Sequence, residues 1–311
     1  MFNRSLALVQ IDSYRAYAQQ HYPSLCQPRP ENSHKGTFGT VAIVGGSKGM
    51  VGASVLAATS AMYTGCGKVL VGLNHVHNPP AVFHNRPEIM VDYAVDMVTN
   101  YHHIVDTWVV GCGLSKNETA VQILKALWNS SITQLVLDAG ALPILAEHSE
   151  LFPTQHKRTD LVITPHPGEA AKLLNVSIER IEQNRDWAAR ELASRYRAWV
   201  ILKGHDTLIS SARGFLLTNP SGNAGLATAG SGDVLAGMVG SLLAQGIEAE
   251  EAVPAAVWLH GVAAEVLVQM QIGPIGMLAG ELAEAVRWVR NQLTLIVENE
   301  EQTTSYDKDF I

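Results

Sequence analysis

Asp233 is the one charged residue in the stretch LATAGSGDVLAGMVGSLLAQG, residues 226–246. Gly230 and Gly232 precede it and long apolar side chains follow, so a glycine-rich turn opens into an apolar helix with a carboxylate in its first turn. The first N–H groups of a helix have no intrahelical acceptor and carry the positive end of its dipole. Gly230, Ser231 and Gly232 therefore read as an anion hole, with glycines to let a phosphate come close. A carboxylate beside such a hole suits phosphoryl transfer to a hydroxyl. Asp233 would take the hydroxyl proton while the N–H groups steady charge on the moving phosphoryl group. An aspartate that only stabilises its own helix needs no such run of small residues in front of it.

Other stretches can contribute to the same chemistry. In VAIVGGSKGMVGASVLAATSA, Gly46, Gly49 and Gly52 recur every third residue between a strand and an alanine-rich helix. The pattern fits neither G-x-G-x-x-G nor G-x-x-x-x-G-K-[ST], and a tight turn explains the glycines as well as a ligand does. VVGCGLS places Gly111 and Gly113 at a strand end. ITPHPGEAAKLL carries His166 and Glu169 on a loop stiffened by two prolines. That pair can bind a ligand or a hydrated metal, or Glu169 can simply complement the dipole of the helix that follows. VILKGHDTLI puts Lys203 and Gly204 at another strand end. The lysine can meet phosphate oxygens as a point charge, or be a surface lysine beside a turn glycine.

The elements that must position these residues follow from β-branched runs ending in glycine, aspartate or proline. Strands are expected at 40–46, 68–73, 107–113, 134–140, 160–168 and 199–204, with a hairpin over 207–218 turning near residues 212–214. Several runs lack polar alternation, as strands buried on both faces of a parallel sheet do. Helical stretches lie between them, and the chain after Asp233 is mainly helical. The expected class is α/β: a doubly wound, mostly parallel sheet flanked by helices, with the site beyond the carboxyl ends of the strands. Residues 1–35 read as a preamble with one helical stretch, 36–295 as one domain, and 296–311 as an acidic, disordered tail.

Composition narrows the classes of function. A chain of 311 residues with 47% hydrophobic residues can bury a large core. The net charge of −7, with scattered lysines and arginines, argues against nucleic acid as a partner. Three cysteines, far apart and odd in number, suit a reducing compartment and core thiols rather than a metal knuckle. The N-terminus lacks a signal-peptide pattern, and the best apolar run, VLAGMVGSLLAQGI, is short of the ~20 residues of a membrane span. A cytoplasmic protein with no membrane partner is expected.

Taken in order, KGTFGTVAIVGGSKGMVGASVLAA, VVGCGLS, LVLDAGAL, VITPHPGEAAKLL, VILKGHDTLI and GNAGLATAGSGDVLAGMVGSLLAQG resemble the ADP/ATP-dependent NAD(P)H-hydrate dehydratases, a branch of the ribokinase-like superfamily. The resemblance runs from about Lys35 to the helices before residue 292. It implies a ribokinase-like fold and a repair enzyme. The substrate would be the S-form of NADH or NADPH hydrated at C6 of the nicotinamide ring (NADHX or NADPHX). ADP or ATP, with Mg²⁺, would phosphorylate that hydroxyl, and loss of phosphate would restore the reduced cofactor. The resemblance makes Asp233 the catalytic aspartate, which also meets the substrate, and places Gly232 at the nucleotide. Lys203, Gly204, His205, Asp206 and Thr207 match the segment that contacts the nucleotide, and Ala53, Gly113 and His166 match positions that line the hydrate pocket. Glu169 matches a residue linked to Mg²⁺ through water. A homo-oligomer, often a tetramer, is implied as well.

The chain departs from the family pattern at Cys112 and Ser115 within G-C-G-L-S, at Gly140, at Ala229, and in PIGMLAGELAEAV near the end. The Gly140 change removes a polar side chain near the substrate. Two other readings share these residues: a kinase of a small vitamin-like alcohol, and a nucleotide-binding module without catalysis.

Overall fold

The computed structural model describes residues 10–74, 82–154 and 160–295. Nine strands form one sheet: β1 (Thr40–Gly45), β2 (Lys68–Leu73), β3 (Met90–Tyr93), β4 (Thr107–Val110), β5 (Gln134–Leu137), β6 (Asp160–Ile163), β7 (Trp199–Leu202), β8 (Leu208–Ser211) and β9 (Leu216–Thr218). Their order is β3-β2-β1-β4-β5-β6-β7-β8-β9. Strands β1 to β7 are parallel, and β8 and β9 close the far edge antiparallel. The chain therefore winds outward from β1 to β3 and restarts beside β1 at β4. The carboxyl ends of β1 and β4 flank the point where the winding reverses, which is where a doubly wound sheet leaves a crevice.

Period-two alternation sends successive residues of each strand to opposite faces. Val41, Ile43, Val109 and Val136 face one helical layer, while Ala42, Val44, Val110 and Leu137 face the other. The first layer comprises α1 (Ile11–His21), α2 (Val51–Thr64), α9 (Ser231–Ala244), α10 (Ala249–Gln269) and α11 (Ala279–Leu293). The second comprises α3 (Ala94–Asn100), α4 (Glu118–Asn129), α5 (Ala141–Glu147), α6 (Pro167–Leu174), α7 (Ile178–Gln183) and α8 (Arg185–Tyr196). Both faces of the central strands are dry, which is why their sequences read as unbroken apolar runs.

Strands that were expected to reach 113 or 140 end earlier. Gly111 has φ +128° and Gly113 φ +67°, so the backbone leaves the sheet at Gly111. The hairpin turns where expected: Gly214 has φ +93° and its N–H donates to the Ser211 carbonyl. Strand β3 was not expected. It is an edge strand whose four residues are exposed or half-buried, and it offers no apolar run to read.

Helix α9, which carries Asp233, is set in place by close contact with α2. Ser60 Oγ donates to the carbonyls of Ala57 at 2.9 Å and Val234 at 2.8 Å, and Ser241 Oγ donates to the Ala61 carbonyl at 2.8 Å. A Cβ on Gly237 would lie 2.0 Å from the Ala57 carbonyl oxygen and 2.2 Å from Ser60 Oγ, so only glycine lets the two helices meet. Gly237→Ala is expected to cost about 1–3 kcal/mol by overpacking and to lower the urea midpoint without changing the slope. An unchanged midpoint would contradict this packing.

Helix α10 corrects the expectation about apolar runs. It is 21 residues long and an 18-residue window within it has a mean hydropathy of 1.4, enough by length and composition to cross a membrane, yet 83% of that window is buried inside the protein. It is a core helix. The preamble is built onto it: Tyr17 stacks on Trp258 with ring centroids 5.4 Å apart, and Ser24 donates its N–H and Oγ–H to Glu251 at 2.7 and 2.8 Å. The acidic tail, 296–311, lies outside the described residues.

Candidate active site

The carboxyl ends of β4, β5 and β7 and the start of α9 converge on one cluster of charged groups. Asp138, the residue after β5, is buried. Its Oδ1 accepts from Lys203 Nζ at 2.7 Å and from Thr164 Oγ1 at 2.6 Å. Lys203 follows β7, and its N–H donates to the Pro165 carbonyl at 2.9 Å, so the lysine and the loop after β6 are held together. Asp138 raises the Lys203 pKa by charge and hydrogen bonding, against the opposing effect of burial. The ammonium is a fixed positive charge at the floor of the crevice.

Asp233 stands above this pair. Burial, reinforced by the nearby charge of Asp138, raises its carboxyl to about 6, and the Cys112 thiol and Lys203 pull the other way. One oxygen each of Asp233 and Asp138 and the Cys112 Sγ lie within 4.8 Å of one another. A carboxylate at that pKa is ionised at neutral pH yet basic enough to accept a hydroxyl proton.

The α9 start is shaped for close approach. Gly230 has φ +90° and precedes the first helical residue. Ser231 spends its N–H on the Thr228 carbonyl at 3.3 Å and its Oγ–H on the Leu226 carbonyl at 2.7 Å. The N–H groups of Gly230, Gly232 and Asp233 have no acceptor among the described residues, so of the donors expected at this helix start only that of Ser231 is taken. A Cβ on Gly232 would sit 3.4 Å from Lys203 Nζ and 3.8 Å from Asp138 Oδ2, filling the space between the open N–H groups and the ammonium. That cradle fits an anion such as a phosphate. Gly232→Ala is expected to weaken ADP binding more than tenfold in titration calorimetry. Fold stability should hold or rise, since alanine favours helix over glycine by about 0.8–1 kcal/mol. Unaltered affinity would place the anion elsewhere.

The other residues singled out from the sequence separate into groups. Gly113 and Ala53 touch: a Cβ on Gly113 would meet Met50 O at 2.3 Å and Ala53 Cβ at 3.0 Å, which puts both beside the β1–β4 crevice. His166 caps α6. Its Nδ1 accepts from the Gly168 N–H at 3.0 Å and its own N–H donates to Glu169 Oε2 at 2.8 Å, a reciprocal capping box. With Nδ1 an acceptor, the proton of the neutral ring sits on Nε2, 3.5 Å from Glu169 Oε1. Burial and Lys203 hold His166 below its usual value, and burial raises Glu169 to about 7. Glu169 is thus half-protonated near neutrality and committed to the helix start.

Gly204 packs under Arg185, whose guanidinium would lie 2.7 Å from an added Cβ and whose Nη2 donates to the carbonyls of Leu202, Lys203 and Asp206. Thr207 Oγ1 donates to the Gly204 carbonyl at 3.1 Å, while His205 and Asp206 point to solvent. Gly140 packs against the Leu114 carbonyl, 2.0 Å from an added Cβ, and Ser115 donates its N–H to Ser47 Oγ at 2.8 Å. Sequence reading passed over Asp138, Thr164 and Arg185. The first had a signal, an acid at a strand end before a glycine, and the other two had none.

The donor set bears on a divalent cation. Asp138 Oδ1 is occupied by Lys203 and Thr164, Glu169 Oε2 by a backbone N–H, and a thiol is a poor partner for Mg²⁺. The residues fit an ion held mainly by phosphate oxygens and water, with Asp233 and Glu169 as outer partners.

Comparison with known proteins gives the same picture. A family model described as NAD(P)H-hydrate dehydratase (Carb_kinase) matches residues 41–287. The ADP-dependent (S)-NAD(P)H-hydrate dehydratase of Neisseria meningitidis is 47% identical over 274 residues, covering 88% of this chain and 92% of that protein. The bifunctional NAD(P)H-hydrate repair enzyme Nnr of Escherichia coli is 37% identical over 85% of this chain, but the chain spans only 50% of its length. The crystal structure of the ADP/ATP-dependent NAD(P)H-hydrate dehydratase of Bacillus subtilis, co-crystallised with ATP/Mg²⁺, matches with a TM-score of 0.76 at 28% identity, over 90% of this chain and 97% of that one. The shared architecture is the ribokinase-like one. The chain belongs to the NAD(P)H-hydrate dehydratase family.

Proposed function

We propose that this protein dehydrates the S-epimer of hydrated NADH or NADPH back to the reduced cofactor at the expense of ADP or ATP. The observation that carries the reading is Asp233, a carboxylate near pKa 6, set beside open N–H groups and the Lys203 ammonium. Asp233 accepts the proton of the C6 hydroxyl as its oxygen attacks the terminal phosphorus of the nucleotide. The bond from that phosphorus to its bridging oxygen breaks, leaving AMP from ADP or ADP from ATP. The N–H groups of Gly232 and Asp233 and the Lys203 ammonium bind the phosphoryl oxygens as charge shifts onto the leaving group. Phosphate then departs from C6 and a proton from the neighbouring ring carbon, which restores the double bond. Mg²⁺, when bound, neutralises charge on the nucleotide phosphates.

The strand-end segment Lys203 to Thr207, clamped by Arg185, is proposed to hold the nucleotide, and Ala53, Gly113 and His166 the hydrate. Cytoplasmic placement is part of the proposal, supported by three cysteines that stand as free thiols. A homo-oligomer is proposed as well, supported by exposed Ile275 and Leu278, which are 94% and 62% accessible. Size-exclusion chromatography with light scattering tests it, and a monomer at all concentrations overturns it.

The test of the reaction is to mix the protein with S-hydrated NADH, Mg²⁺ and either ADP or ATP. Reduced-nicotinamide absorbance should return only with nucleotide, with one free phosphate per turnover. Phosphate retained on a stable product would make the protein an alcohol kinase, and binding without turnover would make it a nucleotide-binding module.

A further inference from the structure

Cys112 is completely buried at the end of β4, and the reaction just described does not use it. Its backbone is fixed on two sides. The Cys112 carbonyl accepts the Gly46 N–H and the Ser54 Oγ–H, each at 3.0 Å, tying the end of β4 to the β1–α2 turn. Gly111 before it and Gly113 after it both have positive φ, and a Cβ on Gly111 would lie 1.7 Å from the Asp138 carbonyl oxygen. Held in this way, the side chain lies against the two carboxylates, with its Sγ and one oxygen of each within 4.8 Å of one another.

We propose that Cys112 is a positioning residue for the base: its S–H donates to the Asp233 carboxylate and holds that carboxylate in place beside the α9 N–H groups. The inference rests on Asp233 acting as the base. A thiol is a weak donor, but this one is fully buried away from bulk water, and of its two carboxylate neighbours Asp138 already accepts from Lys203 and Thr164 on Oδ1. Burial, together with the charges of Asp233 and Asp138, pushes the Cys112 thiol well above its usual value. It therefore remains a neutral donor and is neither a nucleophile nor a metal ligand. The groups that set the Asp233 titration come from several elements: Cys112 after β4, Asp138 after β5 and Lys203 after β7. Lys203 in turn feels Glu169 on α6, and it acts on His166, which caps that helix, and on His260 of α10.

The donor can be removed or kept with little change in volume. Cys112→Ala removes it, and Cys112→Ser keeps a hydroxyl donor in the same place. The pKa of Asp233 is read without any substrate, from the pH dependence of urea stability with and without Asp233→Asn in each background. Cys112→Ala should move that titration upward by about half a unit to one unit, and Cys112→Ser should leave it in place or lower it. In parallel, the acid limb of the nucleotide-dependent rate should move by the same amount in Cys112→Ala and return in Cys112→Ser. An Asp233 titration identical in all three backgrounds overturns the proposal. A stability-derived shift in a protein that never dehydrates the hydrate leaves the Cys112 assignment standing and removes the dehydratase reading instead.

Discussion

Asp233→Asn is expected to lower kcat about 10²–10⁴-fold and to leave ADP affinity within a few-fold, because it removes the proton acceptor and keeps the N–H groups that bind the anion. The same substitution should stabilise the fold. The Asp233 carboxyl is raised from 3.8 to about 6, so the folded state holds its proton more tightly than the unfolded chain does. A raised acid pKa contributes stability that is fully present below the unfolded value and lost as pH rises through the folded one. Above pH 6 the ionised carboxylate therefore burdens the fold by up to about 3 kcal/mol, which asparagine relieves. Urea denaturation at neutral pH should show the variant more stable, with the gap closing as pH falls toward 4. A variant that is inactive and also less stable at neutral pH would mean that Asp233 is a structural carboxylate.

The second large effect concerns the ion pair beneath it. Asp138 keeps only 2% of its side-chain surface and Lys203 keeps 22%. Lys203→Met leaves a buried carboxylate with Thr164 as its remaining side-chain donor, and the expected cost is about 3–5 kcal/mol. Combining Lys203→Met with Asp138→Asn removes both charges and should recover most of that loss, since a buried pair replaced as a whole is often neutral. Activity should not recover in the double variant, because the ammonium that meets the phosphoryl oxygens is still missing. Denaturation curves of the two single variants and the double variant, alongside their rates, separate the two roles. Full activity in the double variant would show that Lys203 serves only to neutralise Asp138.

Much of this architecture could be read along the chain because its central strands are dry on both faces. Runs such as TVAIVG and KVLVGL have few other homes than a parallel sheet, and the hairpin announced itself through Ala212, Arg213 and Gly214. Asp233 stood out because a lone acid in an apolar stretch has few explanations. What escaped was whatever depends on partners distant in sequence. Asp138 reads locally as a turn residue and becomes an ion-pair partner only when β7 brings Lys203 to it, 65 residues later. Arg185 lies 18 residues before Lys203 in no motif, and only the fold sets its guanidinium on the Gly204 loop. Strand β3 escaped for the opposite reason: an edge strand half open to water needs no apolar run. Glu169 was half legible, since its place at the start of a helix is visible in the sequence while the burial that raises its carboxyl is not.

The central claim is that Asp233 takes the proton, and the pH dependence of a single turnover tests it most directly. With hydrate, ADP and Mg²⁺ all well below saturation, where the rate reports the free protein, the rate of absorbance return should be level above pH 6 and fall about tenfold per unit below it, as the carboxyl at about 6 becomes protonated. Asp233→Asn should show a rate lower by orders of magnitude with no acid limb. A wild-type profile flat through pH 6, or the same acid limb persisting in Asp233→Asn, would contradict the account and assign the proton to another group.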